Sequence, residues 1–293
     1  MIAQRHELTE GQVFLGNGSD EVLAHAFFAF FQQNSPLLMP DISYSFYKSY
    51  CVLYGITAQT VPLTDDLRLL VADYSPSVSQ VVAGIVIANP NAPTGIGLPL
   101  RDIEVLLQMH PNRVVLVDEA YVDFGAQSAV SLINRYANLL VVHTLSKSRS
   151  LAGLRIGYAC GQTHLVGALE RVKNSFNSYP LDRLAIVGGV AAFEDAEYFE
   201  QTRQAVMSSR EGLVLALEDF GFSVLPSQAN FVFARHRTYD AAKLALELRA
   251  CGVLVRHFKI PRIDQYLRIS VGSSSQCDRL IGVLAEVLMS ASN

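Results

Sequence analysis

The chain has 293 residues, half of them hydrophobic and only 17% charged, with a formal net charge of -4. That length buries a large core, in one big domain or two smaller ones. The slightly acidic balance, without any run of Lys or Arg, excludes a nucleic-acid-binding face. Cys51, Cys160, Cys251 and Cys277 lie far apart without a C-x-x-C pair, and the seven histidines show no ligand spacing. Neither a disulfide framework nor a metal site is therefore expected. The opening residues, MIAQRHELTEGQ, lack the apolar stretch of a signal peptide, and no apolar run approaches the roughly 20 residues of a membrane-spanning helix. A soluble, cytoplasmic protein with reduced thiols is the expectation.

Residues 16–21 (GNGSDE) open a helical segment, EVLAHAFFAFFQQ. Glycines there let backbone N–H groups of Gly18, Ser19 and Asp20 point at an anion, which the helix dipole favours. A plain turn capped by Ser19 or Asp20 reads equally well. PLLMPD ends as a strand, and Tyr44 and Tyr47 follow it, where an aromatic can stack on a flat ring. Both also suit the rim of a core, the preferred reading for Tyr47. A second helix, YSFYKSYCVLYG, comes next. VVAGIVI, VVLV and LLVV are apolar throughout, as strands of a parallel sheet covered on both faces are, with the helix LPLRDIEVLLQMH between the first two. NPNAPTG (89–95) forms a rigid turn after the first of these strands.

Asp118 ends the second strand, in VVLVDEAY. A carboxylate there is costly unless paired, either with a cationic ring nitrogen or as a helix N-cap. Tyr121 stands three residues on. Directly after the third strand comes TLSKSRSLAGLR, with Lys147 at the edge where open α/β sheets hold ligands. Arg149 and Arg155 offer a cationic neighbourhood that would activate such a lysine and bind phosphate. An ordinary solvated lysine is the plainer reading of Lys147 alone.

From Asp182 to about Phe220 apolar positions recur at helical spacing, as one long helix. FSVLP and NFVFARH then read as a hairpin around Pro226–Gln228, followed by a helix (DAAKLALELRACG), strands VLVRHF and YLRISVG, and a last helix, SQCDRLIGVLAEVLM. This rhythm suggests a large domain over residues 1–190 and a small α+β domain over 191–293. Asn230, Arg256 and Arg268 punctuate its apolar strands, and an arginine so placed calls for an anion. A local salt bridge is the alternative for Arg256.

The order of these segments resembles the class I and II aminotransferases of the aspartate-aminotransferase fold, and among them most closely the histidinol-phosphate aminotransferase family. The resemblance runs from about residue 12 to the C-terminus and is most specific in GNGSDE, PNAPTG, DEAY, TLSKSRSLAGLR, VLVRHF and YLRISVG. It implies an α/β fold of three layers, a mainly parallel sheet with helices on both faces, plus a small α+β C-terminal domain. It also implies pyridoxal 5'-phosphate as cofactor, a homodimer, and amino-group transfer between glutamate and imidazole-acetol phosphate in histidine biosynthesis. By the same resemblance Lys147 carries the cofactor as a Schiff base and shuttles a proton at the substrate Cα. Asp118 pairs with the pyridinium nitrogen, Tyr121 bonds the phenolic oxygen and Tyr44 stacks on the ring. Ser146, Arg155 and the backbone at Gly18, Ser19 and Asp20 hold the phosphate. Arg268 clamps a substrate α-carboxylate, Arg256 receives the phosphate of histidinol phosphate, and Asn230 lies beside them.

Two departures accompany the resemblance. Relatives carry Asn immediately before P-T-G, where this chain has Ala92; Asn91 is next door, but neighbours in an extended segment point opposite ways, so its role is not transferred. Relatives also have an N-terminal arm of several tens of residues, and this chain starts inside what corresponds to the helix before GNGSDE, so the arm is expected to be missing. A non-catalytic remnant of such an enzyme and a pyridoxal-phosphate-dependent decarboxylase of a phospho-amino acid are the competing readings.

Overall fold

The computed structural model describes residues 1–76 and 81–290. Seven strands form the larger sheet: β1 (Val13–Asn17), β2 (Leu37–Pro40), β3 (Ala58–Val61), β4 (Gly84–Ala88), β5 (Val114–Asp118), β6 (Leu139–Thr144) and β7 (Ile156–Gly161). Their spatial order is β1-β7-β6-β5-β4-β2-β3. Strands β2 to β6 pair in parallel, while β7 runs antiparallel to both of its neighbours, β6 and β1.

Side-chain alternation along the central strands explains why they are apolar without a break. Val115 and Val117 of β5 and Leu139 and Val141 of β6 face one core, shared with Ile103, Leu106 and Leu107 of one helix. Leu116, Leu140 and Val142 face the other, against three helices. Each residue of these strands is thus buried on one side or the other, the signature of a sheet covered on both faces. The helices of the two layers are α1 (Ile2–Arg5), α2 (Gly18–Ala26), α3 (Phe46–Tyr54), α4 (Leu100–Met109), α5 (Thr163–Phe176) and α6 (Arg183–Glu194). The expected three-layer α/β architecture is therefore observed.

A second, four-stranded antiparallel sheet follows: β8 (Phe222–Val224), β9 (Phe231–His236), β10 (Arg256–His257) and β11 (Leu267–Ser270), in the order β10-β11-β9-β8. It packs on the C-terminal half of α7 (Ala196–Asp219), on α8 (Ala241–Ala250) and on α9 (Ser274–Ser290), through a core that includes Leu213, Leu217, Leu244, Leu248, Leu280 and Leu284. No helix among the described residues is long and apolar enough to cross a membrane.

Several elements differ from expectation, and β1, β3 and α5 are not anticipated at all. The continuous helix expected from Asp182 to Phe220 is two helices, α6 and α7, broken at Asp195, where ψ is 66°. There the Asp195 carboxylate accepts the Tyr198 N–H at 3.2 Å and starts α7, an N-cap that apolar periodicity does not register. VLVRHF pairs over Arg256–His257 alone. Strand β7, with glycine at 157 and 161, carries little β-propensity of its own, yet both its neighbours depend on it. Gly157 is required at one point: an added Cβ would stand 2.2 Å from the Ser19 nitrogen and 2.3 Å from the Gly18 carbonyl carbon.

Because both obstructing atoms are backbone, Gly157→Ala should destabilise the fold by about 1–3 kcal/mol through overpacking. Chemical denaturation measures this, and a variant as stable as the wild type would contradict the close approach of β7 to α2.

Candidate active site

At the C-terminal edge of the parallel strands the chain makes one cleft. After β4 it is walled by Pro90 and Ala92, after β5 by Ala120 and Tyr121, and after β6 by Ser146 and Lys147. Asp118, the last residue of β5, forms part of the wall; Tyr44, after β2, Ser19 and Asp20, in the first turn of α2, and Ala152 and Arg155, before β7, complete it, with Arg155 against Asp20. Residues far apart in the chain meet here because parallel strands end together, and the loops following them converge. Gly18 lies just behind. Its φ is +79°, and a Cβ there would meet the Arg155 guanidinium at 2.5 Å, so the turn and the arginine both require glycine.

Asp118 is 5% exposed. Its Oδ2 accepts the Tyr47 hydroxyl at 2.8 Å and its Oδ1 the Ala120 N–H at 3.2 Å. Both donors are neutral, and burial pushes the carboxyl up to about 6 against hydrogen bonds that pull the other way. The carboxylate caps no helix, since it folds onto the backbone two residues ahead. Glu119, next in sequence, points to the opposite face of the sheet. It is 1% exposed and accepts from His143 Nε2 at 2.8 Å, Ser128 Oγ at 2.5 Å and the Ala129 N–H at 2.6 Å. Burial opposes charge on His143, but the bond to Glu119 and its negative charge raise the imidazole pKa overall. This pair ties the ends of β5 and β6 together beneath the cleft.

Lys147 is exposed at the cleft, with Nζ 5.5 Å from the centre of the Tyr121 ring. Arg155 donates through Nη2 to Asp20 Oδ2 at 3.2 Å, and the Tyr44 hydroxyl donates to Asp20 Oδ1 at the same distance. Arg155 has a φ of 53°, a left-handed backbone conformation that keeps its side chain turned back on α2. Neither Ser19 nor Asp20 caps α2; the Asn17 N–H is instead taken by Glu21 Oε2 at 2.6 Å.

Arg149 departs from expectation. Its guanidinium lies 4.1 Å from the ring centre of Phe193 and 4.0 Å from that of Phe199, and it donates to the Ala192 carbonyl. Two aromatic faces and a carbonyl hold the cation at the α6–α7 junction, away from Lys147. Tyr47 is a core residue as expected, at 1% exposure, yet its hydroxyl reaches the site through Asp118. Asn91 faces out of the cleft: it accepts from Ser43 Oγ at 2.8 Å and donates to the Ile42 carbonyl at 3.0 Å. Pro90 and Ala92 are the residues of that turn that line the cleft.

Asn230, Arg256 and Arg268 belong to the second sheet and not to the walls of the cleft. The Asn230 carbonyl accepts the Val271 N–H at 2.9 Å. Arg256 and Arg268 face each other across β10 and β11. The Arg268 guanidinium rests 5.2 Å from the Phe231 ring centre, and Phe231 in turn meets the Tyr121 ring edge-on at 5.1 Å. Phe231 thus joins the second sheet to the cleft, a link that its apolar setting in NFVFARH does not announce. Among the described residues neither arginine has a carboxylate partner, so the local salt bridge considered for Arg256 is not formed. Arg210 of α7, 8% exposed, donates to the carbonyls of Phe124 and Ala229, each at 2.8 Å. It pins the loop after Tyr121 to the residue before Asn230, and its place on a polar helix gives no sequence signal of this.

Because the Asp118 carboxyl is raised from 3.8 to about 6, the folded chain holds that proton more tightly than the unfolded chain does. The associated stability is present at low pH and is lost as pH rises through about 6. In the ligand-free protein this loss amounts to roughly 3 kcal/mol between about pH 4 and pH 7, and Asp118→Asn removes it. Unfolding free energies of the two proteins that run parallel across that range would refute the assignment.

Residues 2–284 match the family "Aminotransferase class I and II". The chain is 58% identical to histidinol-phosphate aminotransferase 1 of Methylococcus capsulatus over 287 residues, 98% of this chain and 79% of that protein. It is 59% identical to histidinol-phosphate aminotransferase 1 of Bordetella parapertussis over 279 residues, 95% of this chain and 78% of that protein. The crystal structure of histidinol-phosphate aminotransferase from Sinorhizobium meliloti in complex with pyridoxal-5'-phosphate shares the fold, with a TM-score of 0.89 over 99% of this chain and 80% of that one, at 23% identity. With its fold, its cleft and these relatives in agreement, the chain belongs to the class I and II aminotransferases, pyridoxal-phosphate-dependent enzymes acting on small amino and oxo acids.

Proposed function

We propose that this chain moves an amino group between histidinol phosphate and 2-oxoglutarate, giving imidazole-acetol phosphate and glutamate, as a step of histidine biosynthesis. The observation that carries the proposal is a single cleft holding Lys147 and a buried Asp118 whose only donors are neutral. Identity of 58–59% to relatives named for that reaction supports the substrate.

The residues fit pyridoxal 5'-phosphate. A buried carboxylate without a cation is unstable, and a protonated ring nitrogen is the partner it lacks. The α2 N-terminus, Ser146 and the Arg155 guanidinium provide a phosphate cradle, for which Gly18 and Gly157 keep the backbones close. When bound, the cofactor supplies the carbonyl carbon that accepts amino groups and a ring that withdraws electron density. Asp118, supported by the Tyr47 hydroxyl, would hold the proton at the ring nitrogen. The Lys147 amine would take the proton from the substrate Cα and give it back at the end of the transfer. Tyr121 would donate to the phenolic oxygen and orient Lys147 through its ring face, and Tyr44 would lie against the cofactor ring. Ala92 offers no donor, which leaves the phenolic oxygen to Tyr121. Arg268 binds the α-carboxylate of glutamate or 2-oxoglutarate, and Arg256, with Asn230 nearby, binds the substrate phosphate. Among the described residues no carboxylate pairs with either arginine, which supports this assignment.

The same proposal includes a large cofactor unit over residues 1–190 and a small unit over 191–293, supported by the separate core of the second sheet. It includes a cytoplasmic homodimer too. Exposed Phe28, just past α2, and Phe46, Val52 and Leu53 of α3 support an interface there, and sedimentation of the purified protein tests it.

Lys147→Ala should abolish transamination and the visible absorbance of the bound cofactor; wild type lacking that absorbance with cofactor supplied would overturn the reading. Losing one charge-assisted anion contact costs about 1.5–3 kcal/mol. Arg256→Ala should therefore raise KM for histidinol phosphate by roughly 10- to 100-fold and leave that for 2-oxoglutarate near wild type. Arg268→Ala should raise KM for 2-oxoglutarate by a similar factor. Equal effects of Arg256→Ala on both substrates would separate the arginine from the phosphate.

A further inference from the structure

Away from the cleft, one side-chain junction joins the two sheets. Arg262 adopts a φ of +72°, which a non-glycine residue keeps only when its surroundings compensate. Its guanidinium crosses to the larger sheet: Nη1 donates to Asp41 Oδ2 at 2.8 Å, and Nη2 donates to the carbonyls of Leu63 and Thr64, both at 2.7 Å. Asp41, just past β2, uses its other oxygen to accept the N–H groups of Ile42 and Leu63, each at 2.9 Å. Both members of the pair are therefore engaged at every face that matters for orientation. Beside them Ile42, Leu63 and Leu67 pack against Phe233, Ile263 and Tyr266 of the second unit.

The position of this junction is informative. Asp41 lies three residues before Tyr44. Arg262 sits in the loop that leaves β10, and Phe258 of that loop lies 5.6 Å from the Arg256 guanidinium and 5.9 Å from that of Arg268. Phe258 also packs edge-on against Phe233 at 5.9 Å. Displacing the loop displaces the aromatic surface on which both free arginines rest. We propose that Arg262 and Asp41 are positioning residues: their ion pair docks the loop after β10 onto the end of β2 and so fixes where Arg256 and Arg268 stand relative to the cleft. The inference rests on those two arginines being the substrate's anion-binding groups. A partly exposed ion pair contributes little stability by itself, but a planar guanidinium fork held by three acceptors gives direction.

The test uses the cofactor-loaded enzyme with Arg262→Ala, Arg262→Lys and Asp41→Asn. Wild-type transamination of histidinol phosphate is the control, and its absence would sink the functional reading regardless of the variants. With an active wild type, Arg262→Ala and Asp41→Asn should each raise KM for both substrates about tenfold, with kcat within about threefold and the cofactor absorbance and affinity unchanged. Arg262→Lys should recover part of the loss, since it restores charge without the fork. KM values within twofold of wild type would overturn the proposal. So would a loss of activity that tracks loss of cofactor or of cooperative unfolding in Asp41→Asn, the variant that preserves an acceptor and decides the matter if Arg262→Ala does not fold.

Discussion

A carboxylate buried at the end of the central strand, given hydrogen bonds among the described residues by neutral donors alone, is the constraint from which the rest of the site follows. Asp118 and Glu119 are adjacent, equally buried, and turned to opposite faces of the sheet by the pleat. Glu119 has three donors, one of them an imidazole whose charged form it favours, so that its charge is compensated within the protein. Asp118 has a hydroxyl and one amide N–H. The difference separates a carboxylate whose charge is compensated within the protein from one whose burial raises its pKa, the feature on which the proposed pairing with a cofactor cation rests.

Everything else in the cleft is arranged around that need by strand direction. Parallel strands deliver Asp118, Lys147 and the turn at Ala92 to one edge, and Arg155 stands at the same edge because the antiparallel β7 begins there, directly after it. The backbone contact between Gly157 and Ser19 brings that arginine against the first turn of α2, and two glycines without side chains make the approach feasible. The second sheet adds cations rather than catalytic groups, and it reaches the cleft through rings: Arg268 on Phe231, Phe231 on Tyr121, Tyr121 under Lys147.

The parts legible in the sequence are those where one local signal has one structural meaning. Strands β4, β5 and β6 are apolar on both faces, so their ends, and with them Asp118 and Lys147, are located at once. Arg149 and Arg155 look alike in TLSKSRSLAGLR, and only the positions of Phe193 and Phe199, over 40 residues later, send one of them away from the cleft. Tyr47 is read as core because burial is all that periodicity reports; the hydroxyl's partner lies 71 residues on. The break at Asp195 escapes because helical spacing continues across it. Arg262, Arg210 and Phe231 act through contacts with distant backbone or rings, which leave no trace in local pattern.

That break has a mechanical meaning. Helix α7 is 24 residues long, about 36 Å at 1.5 Å per residue. In its first half Arg203 bonds the carbonyl of Asp123, past its middle Arg210 bonds those of Phe124 and Ala229, and towards its end Leu213 and Leu217 belong to the core of the second sheet. The helix is a beam fastened along its length, to the loop behind Tyr121 and to the segment before Asn230, and the break at Asp195 ends the ladder of α6 before that of α7 begins. Through this helix the loop behind Tyr121 and the sheet that carries Arg256 and Arg268 are held in one fixed spacing.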